Sequence, residues 1–140
     1  MIANGNWDGA ALSTLVAIGA LTDSAWIFQR AIAMYVSPFI NGSLVNYVTD
    51  WGQTMESARD QAHAQLGLGL MGDICTVAGH QGVDLWSRDH NKLARAFNWV
   101  GEYNLFHGDG QLRAEPVPNI FGRTDGSAYW TRMDDQSILR

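Results

Sequence analysis

Cysteine, proline and charge are all scarce in this chain of 140 residues, which holds a single cysteine, Cys75, and three prolines. One thiol excludes a disulfide within the chain and any zinc site built on several cysteines. Charged residues make up 16%, against roughly a quarter in ordinary globular proteins. So low a charge content, with fifteen glycines and six tryptophans, is not that of a disordered chain. The net charge is −5 and no basic block is present, which argues against a nucleic-acid partner held by its phosphates. An anionic substrate would need local positive groups. No uncharged apolar run reaches the roughly 18 residues that span a membrane, so no membrane partner is expected. The N-terminal "MIANGNWD" lacks the basic region and apolar run of a signal peptide.

Histidine is present but scattered. His63, His80, His90 and His107 show no HxxxH or similar spacing, so no metal is expected. "GLGL" after Leu66 lacks the lysine of a phosphate loop, and no GxSxG elbow occurs. No cofactor is expected either.

The apolar residues that remain fall mostly at helical spacing. Leu12, Leu15, Val16, Gly19 and Ala20 mark a helix over residues 9–21, with Asp8 as a candidate N-cap. Its other side, with Ala11 and Ile18, is nearly as apolar, so burial on most sides is expected. A second helix, capped by Asp23 or Ser24, runs through Tyr35 and closes a helical hairpin. Residues 43–53 lack helical periodicity and read as a loop with a short extended piece. A third helix is expected from about Glu56 to about His80. Its interior glycines each cost roughly 1 kcal/mol relative to Ala and imply close packing. A fourth helix fits from about His90 to Tyr103, with Leu93, Phe97 and Val100 on one face. Beyond it regular patterning stops. Cys75 reads as a small core residue.

Two constellations could carry chemistry. On a helix turning about 100° per residue, Glu56, Arg59, Asp60 and His63 share one stripe. That stripe offers a cation to hold an anion, an imidazole that exchanges a proton near neutral pH, and acids to orient both. The plain alternative is an ordinary charged helix face with a satisfied histidine. Ala58, Ala62 and Gly69 lie nearly opposite, as a small-residue stripe for a packed neighbour. The second constellation is "NGNW", Asn4 to Trp7. Its amides suit hydroxyls and carboxylates and its indole suits a pyranose face; the plain alternative is helix capping.

These residues carry a resemblance. "ESARDQAHAQLGLGLMGDICTVAGHQGVDLW", residues 56–86, closely resembles the ESGRDQxHTQLGLG and NQGxDLY signature of the alginate-lyase-like polysaccharide lyases. "NGNWD", "ALTDSAWIFQRAIAMY", "NGSLVNYV" and "HNKLARAFNWVGEYNL" resemble neighbouring family segments in the same order. The similarity runs over residues 4 to about 105. It implies an all-α fold of helical hairpins forming part of an incomplete (α/α) toroid, with an irregular C-terminal tail over residues 106–140. Residues 1–140 are expected to form a single partial domain, short of the helices that precede "NGNW" in the family.

The resemblance also implies a reaction, β-elimination on a uronic-acid polysaccharide of alginate or glucuronan type. Carried over by position, Asn6 would neutralise the substrate carboxylate. His63 would be the base or a carboxylate partner, Arg59 would orient or bind, and Glu56 would support. Gln53 would contact the sugar, Trp7 would stack, and Asn4 would join the sugar-facing loop. Asp60 and Gln61 are expected to tie the loop to neighbouring helices. Ala58, Ala64 and Gly79-His80 depart from the family pattern peripherally. After residue 105 the departure is larger. "FGRTDGSAYW" offers Arg123 and Tyr129, the latter as candidate catalytic acid, without the family's surrounding motif. An inactive carbohydrate-binding remnant or a structural helical fragment are the alternative readings. The family implies a periplasmic or secreted full-length protein, and a partial toroid implies self-association through exposed apolar faces.

Overall fold

The structure, a computed structural model, describes residues 5–57 and 59–104. Five helices follow in order among them: α1 (Gly5–Leu21), α2 (Ala25–Val36), α3 (Leu44–Tyr47), α4 (Gln61–His80) and α5 (Arg88–Asn104). The fold is all-α, as the helical periodicity indicates. None of the described helices is long and apolar enough to cross a membrane.

The core lies where α1, α2 and α4 meet. Leu12 and Val16 of α1, Ala31 and Tyr35 of α2, and Leu68, Met71, Ile74, Cys75 and Ala78 of α4 are all buried in one cluster. Burying apolar side chains of this size is worth roughly 1.5–3 kcal/mol each, so this cluster dominates the stability. α1 and α2 approach closely because Gly19 has no side chain: a Cβ there would lie 2.6 Å from the Phe28 nitrogen. In the same cluster the Tyr35 hydroxyl and the Cys75 sulfur are hydrogen-bonded at 3.4 Å. Burial raises the ionisation of both Tyr35 and Cys75 above their ordinary values.

Several sequence expectations are corrected. α1 is buried along one stripe only, with Ala11, Ala17, Ile18 and Leu21 exposed. α1 also begins earlier, at Gly5, so Asn6 and Trp7 occupy its first turn rather than a preceding loop. Asp8 is therefore inside the helix. Its carboxylate accepts from the Asn41 and Gly42 backbone amides at 2.9 and 3.3 Å and anchors the α2–α3 loop. The stretch after Gly42 is a short helix, α3, followed by an isolated antiparallel bridge between Val48 and Thr54.

The largest correction concerns α4. It starts at Gln61, not near Glu56, and residues 55–57 and 59 lie in turns. Asp60 stops the helix from extending backwards: it is extended and caps the first turn by accepting from the His63 amide at 2.8 Å. A side-chain oxygen that satisfies an orphan amide fixes a helix start more firmly than apolar periodicity does. The small-residue stripe is also reassigned. Ala62 and Gly69 are exposed, and Ala64, Gly67 and Leu68 face the core.

At α5, Asp89, His90 and Asn91 all have φ between 50 and 61°. Right-handed helix therefore begins only after them. Left-handed backbone costs about 1–2 kcal/mol per ordinary residue. Arg95 offsets it by donating to the carbonyls of Asp89, His90 and Asp50. Lys92, largely buried, reaches the Asp50 carboxylate at 2.9 Å and lowers its ionisation. The stabilisation from that pair is lost as the pH falls through the lowered value, and it is small because Asp50 is exposed. Leu93 is buried, whereas Phe97 of the expected apolar face is 42% exposed and stands against Trp86 with ring centroids 6.4 Å apart.

Two of the α4 glycines give opposite predictions. A Cβ on Gly67 would overlap the Tyr47 hydroxyl, whereas nothing lies within 4 Å of one on Gly69. Gly69→Ala should stabilise the chain by up to about 1 kcal/mol through helix propensity. Gly67→Ala should destabilise it by about 1–3 kcal/mol through overpacking. Urea unfolding of the two variants beside wild type reads both signs. Cys75 gives another test: at mildly alkaline pH a thiol reagent should label it only after denaturant is added, because burial disfavours the thiolate.

Candidate active site

The first two turns of α1 and the first three turns of α4 lie side by side and form one cleft. Asn6, Trp7 and Ala10 line it from α1; His63, Leu66 and Leu70 line it from α4. Its volume is about 290 Å³. Its walls are mostly apolar, and Asn6 and His63 are the polar residues among those that line it. Apolar walls with few convergent polar groups are the usual make-up of a small-ligand site.

His63 is held by Asp60. The carboxylate oxygens lie 2.8 and 2.7 Å from His63 Nδ1, and one of them also accepts from the His63 backbone amide. A carboxylate only accepts, so Nδ1 carries the hydrogen and the neutral ring keeps its lone pair on Nε2. Nε2 has no partner among the described residues. The side chain is 35% exposed. The ring is thus oriented, reachable from the cleft, and in the tautomer that can take a proton. The sequence reading has Asp60 tie the loop to neighbouring helices; the side-chain contacts it makes are with His63, three residues on, and with the adjacent Arg59. The spacing "DQAH" carries that signal, since an N-cap residue faces the third residue of its helix.

Asn6 is 6% exposed and its amide is held at both ends. Its Nδ2 donates to the His63 carbonyl at 3.1 Å, and its Oδ1 accepts from the Tyr47 hydroxyl at 2.8 Å. Tyr47, which sequence reasoning passed over, is fully buried. Trp7 is 73% exposed, so the face of its indole is open at the cleft edge.

The remaining expected residues stand outside the cleft wall. Arg59 is 3.7 Å from Glu56 Oε2 and 3.8 Å from Asp60 Oδ2, a cation between the buried acid and the acid that holds His63. Glu56 and Gln53 are almost wholly buried. The Gln53 amide donates to Ser57 Oγ at 2.9 Å and accepts from the Trp51 indole at 3.4 Å. The single stripe expected for Glu56, Arg59, Asp60 and His63 is not formed, because only His63 lies within α4. Asn4, Arg123 and Tyr129 lie outside the described residues.

A family model described as alginate lyase matches residues 1–109. The chain belongs to the alginate lyase family. The match takes in both helices of the cleft and the whole of the "ESARDQAH" turn. None of the curated proteins and none of the solved structures compared matches the chain. Family membership makes this a chain of the polysaccharide lyase class, and the cleft of Asn6, Trp7 and His63 lies within the matched segment.

The two roles of Asp60 separate by substitution. Asp60→Ala removes the cap and should cost about 1 kcal/mol of stability. Asp60→Asn keeps a cap of similar quality and should leave thermal denaturation nearly unchanged. If both variants melt alike, the cap assignment is wrong.

Proposed function

We propose that this chain acts on a uronic-acid polysaccharide of alginate or glucuronan type by β-elimination, with the α1–α4 cleft as the site. The observation that carries this reading is the pairing in one cleft of a tautomer-fixed imidazole and a side-chain amide. β-Elimination needs both. The proton at C5 of a uronate is only weakly acidic, and its removal builds enolate-like charge on the carboxyl group. A preorganised N–H donor beside that carboxyl stabilises the developing charge. A base at the right distance contributes a further factor of about 10² to 10⁴.

In this reading the carboxylate lies against Asn6 and the sugar ring stacks on Trp7. His63 Nε2 takes the C5 proton. The electron pair forms the C4–C5 double bond as the C4–O4 bond breaks, and an acid returns a proton to O4. Tyr129 is the candidate acid. Arg59 contributes positive charge behind Asp60. Glu56 supports Arg59, Gln53 shapes the turn that carries both, and Asn4 is a further candidate sugar contact. The chemistry balances with no cofactor or metal. The two hairpins, α1–α2 and α4–α5, are taken as part of an (α/α) toroid, and the family is one expected in the periplasm or secreted. Leu21, Trp26 and Phe39, each more than two-thirds exposed, are consistent with self-association, which sedimentation reads directly.

The test is to offer the chain alginate and, separately, glucuronan, and to follow the ultraviolet band of the unsaturated product. A rise that falls by about 10² or more in His63→Ala is the expected result. No rise from a chain shown by circular dichroism to be folded would leave a carbohydrate-binding remnant or a scaffold as the reading.

A further inference from the structure

We propose that Tyr47 is a positioning residue for the elimination: its hydroxyl holds the Asn6 amide in the pose in which Nδ2 is presented to the substrate carboxylate. The inference rests on the lyase reading above and extends it to a residue outside the cleft.

A side-chain amide has nearly the same shape in either of its two orientations, and its surroundings must choose between them. At Asn6 the His63 carbonyl makes the choice and the Tyr47 hydroxyl holds it. The His63 carbonyl can only accept, so Nδ2 must face it. Oδ1 then faces the Tyr47 hydroxyl, which donates at 2.8 Å. The orientation matters because the two ends carry opposite partial charges. Nδ2 has a second N–H beyond the one given to the His63 carbonyl, and in the proposed reading that N–H meets the substrate carboxylate. In the opposite orientation Oδ1 would face the His63 carbonyl oxygen, and an oxygen in place of the N–H donor would repel a carboxylate. The His63 carbonyl fixes the sign of the interaction, and Tyr47 tethers the other end of the amide without touching the sugar.

The position of the hydroxyl is itself fixed. The Tyr47 ring passes between two glycines on the two cleft helices. A Cβ at Gly5 would lie 2.6 Å from ring carbon Cδ2, and one at Gly67 would overlap the hydroxyl and come within 2.6 Å of Asn6 Oδ1. Only hydrogen side chains leave room for the ring and the hydrogen bond together. α3 carries Tyr47 into this slot, and the Met55 amide donates to the Tyr47 carbonyl at 2.8 Å from the turn beyond. The hydroxyl can be removed without emptying the slot, because phenylalanine keeps the ring.

The experiment is a double-mutant cycle on the full chain with Tyr47→Phe, Asn6→Ala and the pair. Tyr47→Phe should lower kcat about ten- to a hundredfold with KM little changed. That is less than the roughly hundred- to thousandfold loss from deleting a charge-stabilising donor outright. On the Asn6→Ala background the same change should have no further effect on kcat, because there is no amide left to orient. A merely structural role predicts the opposite pattern: the same fractional loss on both backgrounds, and such additivity overturns the proposal. Side-chain amide NMR of Asn6 reads the hydrogen bond without turnover. The Nδ2 protons should shift and exchange faster with water in Tyr47→Phe. Unchanged Asn6 resonances would overturn the proposal whether or not wild type is active. A wild-type chain without turnover, but with the predicted NMR change, would sink the lyase reading and the catalytic role of Tyr47 with it, leaving only the amide geometry.

Discussion

The hydrogen bond from Tyr47 to Asn6, made in a slot between two glycines, is the constraint on which the cleft depends. It joins three helices at one point: α3 supplies the tyrosine, α1 supplies Gly5 and Asn6, and α4 supplies Gly67 and the His63 carbonyl. Apolar burial deeper in the bundle holds these helices together, but it is non-directional. The polar contact sets their register. A shift of α1 against α4 by a fraction of a turn would leave the Asn6 amide buried with its partners misplaced, at a cost of about 1–3 kcal/mol for each group left unmade.

From that junction the rest of the site follows outward. The Asn6 donor to the His63 carbonyl places the first turn of α1 against the first turn of α4. The Asp60 cap decides where α4 begins, and the same carboxylate turns the imidazole. One acid thus does two things, and the chemistry of the ring is coupled to the start of the helix that carries it. Arg59, held between Glu56 and Asp60, adds a cation behind the ring rather than in the cleft. The turn over residues 48–57 is stapled to the start of α5 through Asp50, Lys92 and Arg95, so the segment leading into Asp60 is supported from the far side.

The all-α class, the two hairpins and the burial of Cys75 were legible because helical periodicity and apolar content act over many residues and average out local exceptions. Family likeness pointed to Asn6, Trp7 and His63, and all three line the one cleft. What escaped was set by single polar contacts. The sequence pattern places the α4 start about five residues early because Glu56, Ser57 and Arg59 fit a helical stripe as well as a turn. Only the Asp60 cap, an interaction across three residues, breaks the tie. In the sequence Gly67 is a packing glycine without a visible partner, because Tyr47 lies twenty residues earlier and nothing local links them. The exposed Gly69 shows the converse: glycine content signals close approach at some positions and not at others. The left-handed run at Asp89–Asn91 depends on Arg95 reaching back to two of its own carbonyls, a contact that no propensity anticipates.

The most direct test of this account is a crystal structure of the chain with a uronate oligosaccharide, using a His63→Ala variant to prevent turnover. The account predicts a sugar stacked on Trp7 with its carboxylate against the Asn6 Nδ2 and C5 facing the space the imidazole leaves. An oligosaccharide bound away from the α1–α4 cleft, or bound there with Asn6 Oδ1 toward the carboxylate, would contradict it.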